Sequence, residues 1–271
     1  MRFSLNLLGS AICDRCNVRT VGPCSLIDDS ARGQLIANRH SVSYPANTTL
    51  WGEGEVSEFI GIVTQGYLRL ERYGVDGRRQ IASILMPGDV VGDTLGRPST
   101  FAVAAATKAT VCRFDARVFQ QQERTDPAFR RAVYRQRMMK VEQLRGLSWV
   151  LGALNAEERL CAFLSMATQY MPYTPLPEGG GLLTVELPRA DIADLLGITV
   201  ETISRVTRRL EAEGIIRIRT AQSFEIPDLG RLVRIGCYET TIGLIDTPAT
   251  MGHAQAAPEG RALSRPEAAT A

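Results

Sequence analysis

The chain has 271 residues, 45% of them hydrophobic, and a formal net charge of +2 from 31 Lys and Arg against 29 Asp and Glu. That length can bury a sizeable core or divide into two domains of ordinary size. The near balance of charge excludes a uniformly basic coat for nucleic acid, so any affinity for DNA has to come from a locally basic face.

The first residues carry one short apolar segment, Leu5 to Leu8, too short for the core of a signal peptide. No later stretch reaches about 18 uninterrupted apolar residues, the minimum for a spanning helix. The expectation is a soluble, cytoplasmic chain with no membrane partner. In such a compartment six cysteines point to metal or redox chemistry rather than to a disulfide framework.

Residues 1–29 form a cysteine-rich segment in which Cys13, Cys16 and Cys24 stand as C-x2-C-x7-C, with Cys112 far along the chain. Three clustered thiolates and a distant fourth can supply every ligand of a [4Fe-4S] cluster. The same four sulfurs also suit a closed tetrahedral zinc site, or a thiol switch without metal.

Residues 30–125 read as short β segments punctuated by glycine turns: Thr48 to Trp51, Phe59 to Val63, Tyr67 to Tyr73, Gln80 to Leu85, Ala102 to Ala106 and Thr110 to Phe114. Turns at even spacing, among them Gly74-Val75-Asp76-Gly77 and Pro87-Gly88-Asp89, predict a small antiparallel roll or barrel, an all-β sensor or binding domain. Residues 126–154 then form one long helix, from about Ala128 to Leu154, with no internal proline. Val141, Leu144, Ser148 and Leu151 fall on an a/d-like seam, which suits a homodimer or packing within one chain.

Residues 155–246 read as a winged helix-turn-helix. Asn155 caps a helix carrying Leu160, Phe163 and Leu164, and a loop rich in proline and glycine follows from Pro172 to Gly181. A short helix ends at Gly197, Thr199 caps the next, and Val200 to Glu213 forms the helix that would enter the major groove. On its outer face Glu201, Ser204 and Arg205 sit at i, i+3 and i+4 as base readers, Arg205 for guanine and Glu201 for cytosine. Thr202, Arg208 and Arg209 suit phosphates. Ile216, Ile218, Phe224 and Ile226 alternate around Ala221-Gln222 as a winged hairpin, and residues 247–271 lack the apolar content to order themselves.

Asn155-Ala156-Glu157-Glu158-Arg159-Leu160 and Thr199-Val200-Glu201-Thr202-Ile203-Ser204-Arg205 resemble segments of the CRP/FNR regulators, FNR branch, over roughly residues 13 to 235. The resemblance implies an α+β chain: a β-roll like a cyclic-nucleotide-binding domain, a long dimerisation helix and a C-terminal winged helix-turn-helix. It implies an activator that works with RNA polymerase on double-stranded DNA, as a homodimer reading two TTGAT-like half-sites through Glu201, Ser204 and Arg205. It also implies an oxygen-labile [4Fe-4S] cluster on Cys13, Cys16, Cys24 and Cys112, although the seven-residue gap before Cys24 is longer than in the most familiar FNR pattern. The cyclic-nucleotide branch holds phosphate with an Arg-Ser pair, whereas this chain has Phe101-Ala102-Val103-Ala104 there. The competing expectation is a regulator of the same family that answers to a small molecule or to thiol oxidation. No nucleophile–base constellation marks an enzyme, and the two histidines, His40 and His253, stand apart. Cys161 reads as a small buried hydrophobe and Cys237 has no assigned role.

Overall fold

The computed structural model describes residues 16–19, 23–26, 39–92, 96–177 and 179–237. Cys13 and residues 247–271 lie outside them.

Among the described residues eight strands build the first half: β1 (Arg39–Tyr44), β2 (Thr49–Trp51), β3 (Ile60–Gln65), β4 (Leu68–Tyr73), β5 (Arg79–Leu85), β6 (Val90–Val91), β7 (Ala102–Ala105) and β8 (Ala109–Phe114). They form two antiparallel sheets, ordered β1-β8-β3-β6 and β2-β7-β4-β5. Side chains of both sheets, including Val63, Val91 and Val111 from one and Trp51, Leu68 and Val103 from the other, close a shared interior. The outer face of the first sheet is also apolar. Ile60 to Val63 are buried in succession because β3 is covered on both sides.

That outer face is covered by helices. Asp115 caps α1 (Ala116–Thr125), an element absent from the sequence reading, and Asp126 caps α2 (Pro127–Ala153) by accepting from the Ala128 and Phe129 N–H groups. Pro127 sits in the first turn of α2, where its missing N–H costs nothing. Phe119 and Phe129 meet edge to face at 5.0 Å, and with Val133 they seal Ile60, Ile62 and Phe114 from water.

The second half starts at α3 (Ala156–Tyr170), where Asn155 and Glu158 form a capping box. Two strands follow, β9 (Tyr173–Pro175) and β10 (Gly181–Thr184), then α4 (Arg189–Leu196), α5 (Val200–Ala212), β11 (Arg217–Ile218), β12 (Ser223–Ile226) and α6 (Leu229–Ile235). The wing is therefore a four-stranded sheet, β11-β12-β10-β9, rather than a lone hairpin. The stretch from Pro172 to Gly181, expected as a loop, supplies β9 and the first residue of β10. Pro175 is tolerated because β9 is an edge strand that pairs on one side only.

Leu160, Phe163, Leu195, Leu196, Ile203, Leu210, Phe224 and Leu232 form the core of this half. Tyr67, Ile81 and Ala106 of the β-roll join the same core, so the two halves share packed side chains. No helix among the described residues is long and apolar enough to cross a membrane.

Candidate nucleic-acid interface and cysteine site

Gly197 ends α4 in the left-handed conformation, φ 62°, which a residue without Cβ adopts at no cost. The turn then places Thr199 as the cap of α5, its hydroxyl accepting from the Thr202 N–H at 3.2 Å. Ile203, Val206, Thr207 and Leu210 face inward, which leaves Glu201, Arg205 and Arg208 on the exposed side with Ser204 half-buried between them. Val200, Glu201, Ser204, Arg205 and Arg208 line one shallow concavity at the surface. Hydrogen bonds from the backbone N–H of Glu201 and from the Thr199 hydroxyl hold the Glu201 carboxyl below its ordinary range, so it stays an acceptor at neutral pH.

The six residues expected at phosphates and bases do not stand equally ready. Arg205 reaches Thr202 Oγ1 at only 3.5 Å, and Arg208 is exposed. Arg209, however, pairs with Glu213 at 2.9 Å and with Glu157 of α3 at 3.2 Å. Thr202 takes part in the cap of its own helix, 3.2 Å from the Thr199 hydroxyl. On the wing, Arg217 and Arg219 both engage Glu225, and these contacts, Arg219 first, hold its carboxyl below the ordinary range.

The expected seam on α2 carries Val141 and Leu144, 37% and 40% exposed, with exposed Ser148, while Leu151 is half-buried beside the turn at Gly197. Tyr134, Met138 and Trp149 extend this exposed apolar surface along the helix. Sequence reading missed all three, although Tyr134, Met138 and Val141 keep the 4-3 spacing that marked the seam.

At the other end of α2, Cys16, Cys24 and Cys112 all pack against one apolar cluster, that of Val18, Ile60, Ile62, Phe114, Phe119, Phe129 and Val133. Cys112 lies on β8, paired with Ser41 and Ile62. Cys24 lies in the 3-10 turn Pro23–Leu26. Among the described residues no group of three or more His, Cys, Asp or Glu side chains closes to a metal-holding distance. The donor chemistry nevertheless fits iron–sulfur ligation: the soft sulfurs of Cys16 and Cys24 and, from far along the sequence, that of Cys112 pack against one apolar cluster, and Cys13 would be the fourth. Cys161 is different, because burial and then Glu157, Glu158 and Glu213 push its thiol up to about 12. It is a buried, unreactive side chain.

Arg159 escaped sequence reading as a functional residue. Its guanidinium donates to the carbonyls of Leu151, Leu154 and Leu196 at 2.8 to 2.9 Å, which stitches the end of α2 to α3 and α4. Of the stretch Phe101 to Ala104, where the phosphate clamp would stand, Val103 belongs to the roll's interior core.

A two-sheet roll, a long exposed helix and a winged helix-turn-helix define a DNA-binding transcription regulator. Residues 41–126 match the cyclic nucleotide-binding domain family and residues 158–235 the Crp-like helix-turn-helix domain family. The chain belongs to the CRP/FNR family of transcription regulators and is an activator of the FNR/FixK type, not an enzyme. It is similar to the nitrogen fixation regulation protein FixK of Bradyrhizobium diazoefficiens, 32% identical over 208 residues, 76% of this chain and 86% of that one. It is 27% identical over 223 residues to the transcriptional activator protein FnrL of Cereibacter sphaeroides, 82% of this chain and 90% of the relative. Among solved structures it resembles FixK2 from Bradyrhizobium japonicum, with a TM-score of 0.66 and 25% identity over 73% of this chain and 96% of that one.

Proposed function

We propose that this chain is an oxygen-responsive activator, a cytoplasmic homodimer that holds a [4Fe-4S] cluster through Cys13, Cys16, Cys24 and Cys112 and reads a palindromic TTGAT-like site. The observation that carries the reading is the convergence of Cys16, Cys24 and Cys112 on the cluster that contains Phe129 and Val133 of α2. What such a cofactor supplies when bound is an oxygen-labile tie between the N-terminal segment and β8. The chain's own residues do the rest. Val18 packs on Phe119 and Phe129, which seats the first turns of α2 on the sheet. The exposed surface of the same helix, Met138, Val141 and Leu144, pairs with a second copy. Glu201, Ser204 and Arg205 read bases, Arg208 meets phosphate, and the DNA-bound dimer engages RNA polymerase.

The test is the iron, sulfide and zinc content of protein purified without oxygen. The reading expects about four iron and four sulfide per chain, bleached by air, and loss of both in Cys112→Ala. Zinc, or no metal, would overturn it in favour of a family member that answers to a small molecule or to thiol oxidation.

A further inference from the structure

Helix α4 presents two carboxylates, Asp191 and Asp194, to the β-roll, and the roll answers with two arginines. Arg69 on β4 donates to Asp191 Oδ2 at 3.0 Å and to Glu71 Oε2 at 2.7 Å. Arg79 on β5 donates from Nη2 to Asp191 Oδ1 at 2.6 Å, from Nε to Asp194 Oδ2 at 2.6 Å, and from Nη1 to Glu71 Oε2 at 3.2 Å. The side chains of Arg69, Glu71 and Asp191 are 6%, 6% and 3% exposed. Two further ties flank them: Gln80 donates to the Asp194 carbonyl at 2.8 Å, and the Tyr67 hydroxyl donates to Glu186 at 2.6 Å.

Apolar contact between two bodies is non-directional and tolerates sliding, whereas a planar guanidinium bridging two carboxylates accepts one register. The roll is itself fixed to α2, because Asp89 binds Lys140 at 2.6 Å and Gln136 at 2.7 Å. A continuous set of directional contacts therefore runs from the helix with the dimer seam, through the β-roll, to α4, and across the Gly197 turn to the DNA-reading helix α5.

We infer that Arg69 and Arg79 are positioning residues for DNA recognition: by clamping Asp191 and Asp194 they fix α5 relative to the dimer seam and so set the half-site spacing the protein accepts. Two recognition helices must lie about 34 Å apart to enter successive major grooves, and a two-fold axis doubles any tilt of one helix. The inference rests on the dimeric, two-half-site reading above.

The experiment measures binding of full-length protein, prepared without oxygen, to duplexes whose two TTGAT-like half-sites are moved apart in steps of one base pair. Wild type is expected to bind one spacing at least about tenfold better than its neighbours, and Asp194→Asn and Arg79→Lys to reduce that preference to below about threefold. The penalty for a base change inside a half-site is expected to stay as in wild type. A merely structural role would instead weaken binding to every spacing alike, and that result, or an unchanged optimum in both variants, overturns the inference. Asp194 is 30% exposed and Asp194→Asn keeps its shape, so this variant carries the test if Arg79→Lys fails to fold as judged by its thermal transition. Wild type that binds one half-site as well as two would refute the dimeric reading itself, and this inference with it.

Discussion

Arg205 and Arg209 stand one helical turn apart on α5, yet the structure gives them different work. Arg209 is held by Glu213 and Glu157, while Arg205 lies in the open concavity with Glu201 and Ser204. A guanidinium available to present two parallel donors can grip guanine O6 and N7. Arg205→Ala is therefore expected to cost about 1 to 3 kcal/mol in binding and to relax preference at one base pair, checked by titrating duplexes varied at each position. Unchanged affinity and preference would remove Arg205 from the reading set. The spacing of Glu201, Ser204 and Arg205 was legible because a helix places i, i+3 and i+4 on one face. The pairing of Arg209 with Glu157 was not, because nothing local in the sequence brings α3 against α5.

At the scale of elements, the capped helices were the legible part. Asn155 with Glu158, Gly197 and Thr199 act over three or four residues, and the structure shows each of these caps. Strands β9 and β10 were hidden because Pro172, Pro175, Pro177 and the glycines read as loop; β9 is a strand only through its pairing with β10, and β10 is held by β12, farther along the chain. The wing also carries a titration. Glu225 has its carboxyl lowered by Arg219 and Arg217, so the folded state favours its charged form. The stabilisation is fully present above the ordinary carboxylate value of 4.5 and is lost as the pH falls through the lower folded value. Thermal transitions of wild type and Glu225→Gln should therefore differ at pH 7 and draw together on acidification below about 4.5. A gap that holds constant with pH would show that Glu225 acts through packing rather than charge.

For the whole molecule, the order of roll, long helix and winged helix-turn-helix follows from changes in hydrophobic period along the chain, and it is the architecture observed. The seating of the DNA-reading half on the roll was beyond sequence reading. Arg69, Glu71 and Arg79 look there like ordinary charges on strands, and only the tertiary fold brings Asp191 and Asp194 to them. Arg159 adds a second joint, since three carbonyls from the ends of α2 and α4 and the link between helices converge on one guanidinium. The cysteines meet α2 at Phe129 and Val133, the seam follows along the same helix, and α5 is reached through the roll. A change at the cysteines can therefore alter DNA affinity only if their cluster is energetically coupled to α5, along α2 or through the roll.

The most direct test of that coupling is the affinity of one protein preparation for a duplex with two half-sites, measured without oxygen and again after exposure to air. The account predicts a loss of about tenfold or more on exposure, with Cys112→Ala already as weak before it. Equal affinity before and after air, in protein that carries its metal at the start, would contradict it.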